Sequence, residues 1–257
     1  MFSLALTNVQ SALLMGLCGA AVGSFVALAS LRLPGGEPVI WGRSRCSGCS
    51  ALLTHKDLVP ILSYALLRGR CRRCGAPIER RYPATEFAAV IIGVVASLVY
   101  PIGQAFAAAL LGWWLLLLGI LDAEHYWLPD ALTHPLAALG LLFAALFGSP
   151  LLIDSLIGAA AGYALLRLVA AAYSRVRGRE GLGGGDAKLF AASGAWLGWY
   201  NLPVVLMTAG IAGLVAALLL HPRSRSIGTE MLPFGAFLAG ATWIAYVSSP
   251  LLAILTM

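Results

Sequence analysis

Long apolar runs, separated by short polar or glycine- and proline-containing segments, dominate this chain. Asp, Glu, Lys and Arg are absent from five stretches, residues 1–31, 87–121, 131–153, 189–222 and 231–257. Because a helix of about 20 apolar residues crosses the hydrocarbon core of a bilayer, each stretch is long enough to span a membrane at least once. The pattern therefore predicts an all-α polytopic membrane protein.

Breaks in the apolar pattern divide these regions into individual helices. Interruptions at 100–103, 122–130 and 148–150 predict four helices within residues 83–174. A break at 199–203 divides residues 189–220 into a tight helical hairpin. With one helix before residue 32 and one after residue 231, the prediction is about eight transmembrane helices.

Composition agrees with this architecture and excludes other classes of protein. Of 257 residues, 60% are hydrophobic and 11% are charged, whereas a soluble domain has about 25% charged residues. A water-soluble globule, a disordered chain, a collagen and a disulfide-stapled secreted module are all excluded. The first apolar stretch resembles a signal peptide, but it has no basic residue before it and Arg32 follows it, so we interpret it as a retained helix.

The basic residues indicate the orientation of the helices. Residues 32–82 contain 10 of the 17 Lys and Arg residues and three of the 11 acidic residues. Other basic residues lie at 167–188 and at 223–225. Cytoplasmic segments are enriched in Lys and Arg, so residues 32–82, about 174–188 and about 221–230 are predicted to be cytoplasmic. An eight-helix chain with these segments inside has both termini outside.

Four of the five cysteines form two CxxC pairs, Cys46 with Cys49 and, after 21 residues, Cys71 with Cys74. This spacing is typical of a closed tetrahedral zinc site in which all four ligands are thiolates. Two disulfides or unligated cysteines are the structural alternatives, and a redox-active CxxC is another. The predicted cytoplasmic location disfavours disulfides, and no thioredoxin-like βαβ pattern surrounds either pair. Cys18, in the first helix, is interpreted as an apolar filler.

Two aspartates at predicted helix ends are candidates for catalysis. Asp122 follows Gly119-Ile120-Leu121, and Asp186 follows a glycine-rich turn that includes Gly183 and Gly185. Two neighbouring carboxylates can share a proton, so that one activates water while the other polarises a peptide carbonyl. The alternative is structural, since an acid at a helix start is an ordinary cap and a glycine-rich turn an ordinary loop. Asp130, after Pro129, is interpreted as a helix N-cap.

The ordered set of motifs resembles the bacterial type IV prepilin peptidases, which are leader peptidase/N-methyltransferases of the GxGD aspartyl protease family. Besides the two cysteine pairs, the resemblance spans about residues 16–240 and includes Gly23-Ser24-Phe25, Arg32-Leu33-Pro34, Arg81-Tyr82-Pro83-Ala84-Thr85-Glu86, Leu128-Pro129-Asp130, Gly183-Gly184-Gly185-Asp186-Ala187-Lys188 and Leu232-Pro233-Phe234-Gly235. A GxGD sequence alone would be weak, but this ordered set is specific.

The resemblance implies that Asp122 and Asp186 are the catalytic pair and that Gly183 and Gly185 belong to the active-site loop. It implies cleavage of a prepilin or pseudopilin at a Gly-Phe type bond on the cytoplasmic face of the inner membrane. N-methylation of the new amino terminus from S-adenosylmethionine would follow. The implied domains are the first transmembrane helix at 1–31, a zinc-knuckle domain associated with methyltransfer at 32–83, and a membrane peptidase domain at 84–257.

Three positions depart from the pattern of the family. Ser47 stands where a proline is usual, Ala27 replaces an asparagine, and Glu124 replaces a frequent aspartate. The first two departures lie in the part associated with methyltransfer, and no Rossmann-like glycine fingerprint is present, so S-adenosylmethionine rests on the resemblance alone.

Two other classes of function agree less well with the sequence. A transporter would place ionisable groups near the middle of the bilayer, whereas the acids of this chain cluster at helix ends. A membrane anchor that only binds a partner through its zinc module would leave the glycine-rich turn at Asp186 unexplained. The expected partners are pilin substrates and membrane lipid, whose anionic headgroups the basic segment can meet, and not nucleic acid.

Overall fold

A computed structural model describes residues 2–41, 44–178, 181–220 and 232–255. Arg223 and Arg225, which mark one predicted cytoplasmic segment, lie outside the described residues. The helices are α1 (Phe2–Arg32), α2 (Leu62–Leu66), α3 (Arg81–Val99), α4 (Ile102–His125), α5 (Asp130–Phe147), α6 (Leu152–Arg177), α7 (Gly184–Leu197), α8 (Leu202–Leu220) and α9 (Phe234–Leu255).

The all-α membrane architecture is confirmed. Helices occupy all eight predicted positions, and the described residues contain no β-strand, only two isolated bridges. Within the part of the chain that the structure describes, six helical segments are long and apolar enough to cross a membrane, namely Val9–Arg32, α3, α4, α5, α6 and Trp199–Leu219. Helix α7 has 14 residues, which corresponds to about 21 Å and is shorter than a hydrocarbon core of about 30 Å.

The chain divides into two compact units, residues 1–117 (unit 1) and 118–257 (unit 2). In unit 1, α1 packs closely against α3 because glycines line their contact. A Cβ on Gly19 would overlap the carbonyl group of Ala89, and one on Gly93 would overlap that of Met15. Small residues therefore set the distance between α1 and α3, as is common in membrane proteins. At the same contact, the Trp113 indole donates to the Ala89 carbonyl oxygen at 2.8 Å.

The segment between α1 and α3 contains the cysteine pairs, a single 3₁₀ turn at His55–Leu58 and the short helix α2. Within the apolar run at residues 58–67, only Leu62–Leu66 are α-helical. Pro60 disfavours helical backbone at the preceding residue. Ile61 then adopts φ +61°, which separates the 3₁₀ turn from α2.

In unit 2, α7 is the buried helix, and α5, α6, α8 and α9 contact it. Gly158 of α6 and Gly194 of α7 approach so closely that a Cβ on either would overlap the other's carbonyl group. The Trp196 indole donates to the Leu136 carbonyl oxygen at 2.9 Å. A helix that is apolar on all sides belongs in a protein interior, and this packing places Asp186, at the start of α7, within unit 2.

Candidate active site and metal centre

Asp122 lies in the last turn of α4 and is only 6% exposed. Its Oδ2 accepts the backbone N–H of Ala236 at 2.8 Å, and the Gly235 N–H also faces this carboxylate. Both N–H groups belong to the first turn of α9, where backbone donors have no partner within their own helix. The N-terminus of one helix therefore holds a carboxylate from the end of another, with the helix dipole favouring its negative charge.

Asp186 is the third residue of α7 and is 7% exposed. Its Oδ2 accepts the N–H of Gly183 at 3.1 Å, and its own N–H donates to the Gly183 carbonyl oxygen at 3.2 Å, so the glycine-rich turn closes on this residue. A Cβ on Gly185 would lie 2.8 Å from Cβ of Leu128. Glycine at this position lets the start of α7 approach the loop that follows α4.

The predicted pair is brought together through one apolar side chain. Leu128 packs on Gly185 of the α7 turn and also on Gly235, where an added Cβ would lie 2.7 Å from its Cδ1. The same Cβ on Gly235 would lie 2.9 Å from Cγ and Oδ2 of Asp122. The negative charge of Asp122 acts electrostatically on Asp186. Two buried carboxylates therefore lie at the same end of unit 2.

Asp130 does not act as the predicted N-cap. Pro129 occupies the cap position of α5, and no side-chain hydrogen bond caps this end. The Lys188 ammonium donates to Oδ1 of Asp130 instead, two residues beyond Asp186. Asp130 is the first helical residue of α5 and not its cap, and its ion pair with Lys188 joins the start of α5 to α7.

The four predicted cysteines come together in unit 1. Their sulfur atoms all lie within 4.8 Å of one another, and the Cys46 and Cys74 Sγ atoms are 3.7 Å apart. A tetrahedral ion with Zn–S bonds of about 2.3 Å separates its sulfurs by about 3.8 Å. All four thiols are free, so the disulfide alternative is not adopted here. Among the described residues, this is the group of His, Cys, Asp or Glu side chains that can hold a metal ion.

The two cysteine pairs share the same backbone structure. In each, the first cysteine N–H donates to the carbonyl five residues later, and the residue after the second cysteine donates back to the first cysteine's carbonyl, at 2.8–3.0 Å. That residue has positive φ in both, 55° at Ser50 and 72° at Gly75. Each pair is closed by an antiparallel bridge, Arg45 with Leu52 and Arg70 with Pro77. Two matching knuckles therefore present their sulfurs to a common point.

The first knuckle also favours thiolate chemistry. The backbone N–H groups of Cys49 and Gly48 lower the pKa of the Cys46 thiol to about 6, and the Gly48 N–H lies 3.4 Å from Sγ. A metal ion binds the deprotonated form, so the turn is arranged for ligation. Cys18 lies apart in α1 and is half-buried.

The sequence did not reveal what surrounds Asp122. Gly235 and Ala236 lie more than 100 residues further along the chain, and Leu128 appeared only as part of a motif. The available signal was Pro233 at the beginning of an apolar run, which is typical of a helix start. It indicates where α9 begins but not which side chain its N-terminus faces.

Comparison with known proteins places both units in one family. The model of the Bacterial Peptidase A24 N-terminal domain matches residues 17–100, and that of the Type IV leader peptidase family matches residues 109–218. No solved structure matches this chain.

Several curated proteins named prepilin leader peptidase/N-methyltransferase are similar to this chain. One from Aeromonas hydrophila is 44% identical over 207 residues, which cover 79% of this chain and 70% of that protein. One from Dickeya chrysanthemi is 39% identical over 215 residues, covering 81% and 76%. One from Pseudomonas aeruginosa is 38% identical over 256 residues, covering 89% and 87%.

Replacing Gly235 by alanine is expected to destabilise unit 2 by about 1–3 kcal/mol, because the added Cβ must displace Asp122 or Leu128. The measurement is the thermal unfolding midpoint in detergent, together with hydrogen exchange of the Ala236 amide, which should become faster. Gly240→Ala on the same helix is the matched control, since a Cβ there meets no atom within 4 Å. Equal stability and equal exchange in the two variants would contradict the described contact.

Proposed function

The chain belongs to the type IV leader peptidase family, and we propose that it removes the short basic leader from type IV prepilins or pseudopilins and then N-methylates the new amino terminus. The names of relatives that are 38–44% identical support both activities. The bond cleaved is of the Gly-Phe type, between the leader and the hydrophobic helix that follows it. The structural observation that carries the cleavage step is the pair of buried carboxylates at the ends of α4 and α7.

We assign the two aspartates different roles from their surroundings. Asp122 faces the N-terminus of α9, whose N–H groups stabilise a negative charge, so it is the ionised carboxylate and the base. Asp186 receives one N–H, that of Gly183, and lies within reach of the charge on Asp122. Two such groups cannot both ionise cheaply at short range, so Asp186 is the protonated acid.

Cleavage then needs only these two groups and a water molecule. Asp122 takes a proton from water as its oxygen attacks the scissile carbonyl carbon, and Asp186 donates its proton to the carbonyl oxygen. The tetrahedral diol collapses with rupture of the C–N bond. Asp122 gives its proton to the leaving amine, while Asp186 regains one from a diol hydroxyl. Gly183 and Gly185, which lack side chains, let the extended substrate approach this loop.

We propose that the protein lies in the inner membrane with its catalytic end at the cytoplasmic face and both termini outside. The concentration of basic residues within 32–82 supports this orientation. A prepilin leader is itself basic and remains cytoplasmic, so enzyme and scissile bond meet on the same side. Within this scheme, residues 32–83 act as the knuckle domain and residues 84–257 as the membrane peptidase domain.

We propose that the metal held by Cys46, Cys49, Cys71 and Cys74 is a structural zinc ion. The sulfur separations fit a tetrahedral ion, and the cysteines supply four thiolate ligands, which is the full set for a closed zinc site. Bound zinc would fix the two knuckles to each other and so stabilise the segment between α1 and α3. S-adenosylmethionine is proposed as methyl donor because the relatives carry the N-methyltransferase name.

The direct test incubates the purified protein with a prepilin, with and without S-adenosylmethionine, and determines the mass of the product's N-terminus. We expect leader removal in both reactions and one added methyl group only with the donor. A prepilin with the last leader glycine replaced serves as the substrate control. An uncut prepilin would contradict the peptidase assignment, whereas a cut but unmethylated product would contradict only the second activity.

The zinc assignment predicts about one zinc ion per purified chain. Cys46→Ser and Cys71→Ser should lower the zinc content and should damage folding or methylation before they damage cleavage. Elemental analysis and unfolding midpoints measure the first two effects. Cys18→Ser, outside the cluster, is the matched control and should retain its zinc. A wild-type protein that is metal-free and fully active would rule out this role.

A further inference from the structure

Unit 1 contains a cavity of about 800 Å³ between α1, the knuckle segment and the start of α3. Cavities of about 300–1,000 Å³ are typical of sites for small molecules. Phe25 and Leu28 of α1 line it from one side, and Tyr64 of α2 and Tyr82 of α3 add aromatic surface. The walls are therefore mainly apolar, with room for a planar ring beside an aromatic side chain.

The carboxylate of Glu86 also lines this cavity, although Glu86 is only 5% exposed. Its Oε2 accepts the N–H of Ile61 at 2.7 Å, and the described residues provide it with no other hydrogen bond and no ion pair. Burying a carboxylate is costly unless opposite charge or several donors face it. The Ile61 N–H is the direct hydrogen-bond partner of this carboxylate, so a cation placed beside its other oxygen would be bound favourably.

The local backbone fixes the position of this carboxylate. Gly23 of α1 lies against Glu86, since a Cβ there would be 2.5 Å from Cα of Glu86. On the other side, Ile61 has φ +61°, which β-branched residues rarely adopt, and its N–H is the group bound by Glu86. Glu86 is therefore held between α1 and the knuckle segment rather than free to turn towards water.

The other acids of the cavity are differently placed. Asp57 is paired with Arg72 at 2.9 Å and with the hydroxyl of Thr54 at 2.6 Å. Glu37 and Glu79 are exposed, so water screens their charges. Four arginines also line the cavity: Arg32 donates to the Pro38 carbonyl oxygen at 3.2 Å, Arg72 pairs with Asp57, and Arg45 and Arg73 are exposed. Glu86 is thus the buried negative charge of the cavity without a charged partner among the described residues.

The proposed N-methylation demands a cationic ligand. In S-adenosylmethionine the methyl group is carried by a positively charged sulfur. The neutral amine of the new N-terminus attacks the methyl carbon, the C–S bond breaks and its electron pair stays on sulfur. The donor becomes a neutral thioether, and the methylated ammonium releases a proton to water. A buried negative charge therefore favours the donor over its spent product.

We propose that this cavity binds S-adenosylmethionine, with the Glu86 carboxylate facing the sulfonium charge and the aromatic lining facing the adenine ring. This assignment rests on the proposed methyltransferase function. It places the donor in unit 1, beside the zinc knuckles. It also assigns donor selectivity to Glu86.

The test measures binding of S-adenosylmethionine and of S-adenosylhomocysteine to the full-length protein in nanodiscs by calorimetry. Glu86→Gln keeps an oxygen that can accept the Ile61 N–H but removes the charge. We expect about tenfold or greater loss of affinity for S-adenosylmethionine, with little change for the neutral S-adenosylhomocysteine. Asp154→Asn, which also removes one carboxylate but lies outside this cavity, is the control and should bind both ligands as the wild type does.

Equal losses for both ligands, or no loss for the donor, would overturn the role of Glu86. Leu28→Trp tests the location of the site independently, because the larger side chain fills the cavity and should weaken both ligands. Unchanged donor binding in Leu28→Trp would overturn the location. If the wild type methylates a cleaved pilin peptide while both variants bind S-adenosylmethionine normally, only this inference fails. If the wild type neither binds S-adenosylmethionine nor methylates the peptide, the proposed methyltransferase function fails as well.

Discussion

Burial of negative charge at the ends of apolar helices is the constraint on which the rest of this structure depends. Asp122 and Asp186 are both more than nine-tenths buried, and such carboxylates are stable only where donors face them. The N-terminus of α9 supplies donors to Asp122, and the turn before α7 supplies one to Asp186. The starts of α7 and α9 therefore supply the hydrogen bonds that stabilise the two carboxylates used in the proposed chemistry.

Unit 1 also contains a buried carboxylate that accepts a backbone N–H. The buried Glu86 of α3 takes a backbone N–H from Ile61, a residue held at positive φ in the knuckle segment. In both units glycines make the close approach possible, Gly235 beside Asp122 and Gly23 beside Glu86. Among the acidic residues that the structure describes, Glu86, Asp122 and Asp186 are therefore buried, each with backbone N–H donors facing its carboxylate.

The sequence predicted the helices well because charge-free runs and their breaks depend on local composition alone. It also predicted the cysteine cluster, since the spacing within each CxxC pair suits one knuckle. It missed the pairing of Asp122 with α9, which joins residues 114 positions apart, and that of Asp130 with Lys188, 58 apart. Such contacts are set by how helices pack, and no local pattern records them. The burial of Glu86 was missed for the same reason.

The most direct test of the account is leader cleavage by Asp122→Asn and Asp186→Asn, each measured in a single turnover with a saturating amount of enzyme. Asparagine keeps the size of the side chain but can neither ionise nor donate the required proton. The account predicts that each variant inserts, binds zinc as the wild type does and loses cleavage by at least about a thousandfold. Asp154→Asn is the control and should cleave normally, because the Asp154 carboxylate accepts the Trp199 indole N–H and does not belong to this pair. Substantial cleavage by either Asp122→Asn or Asp186→Asn would contradict the two-carboxylate mechanism.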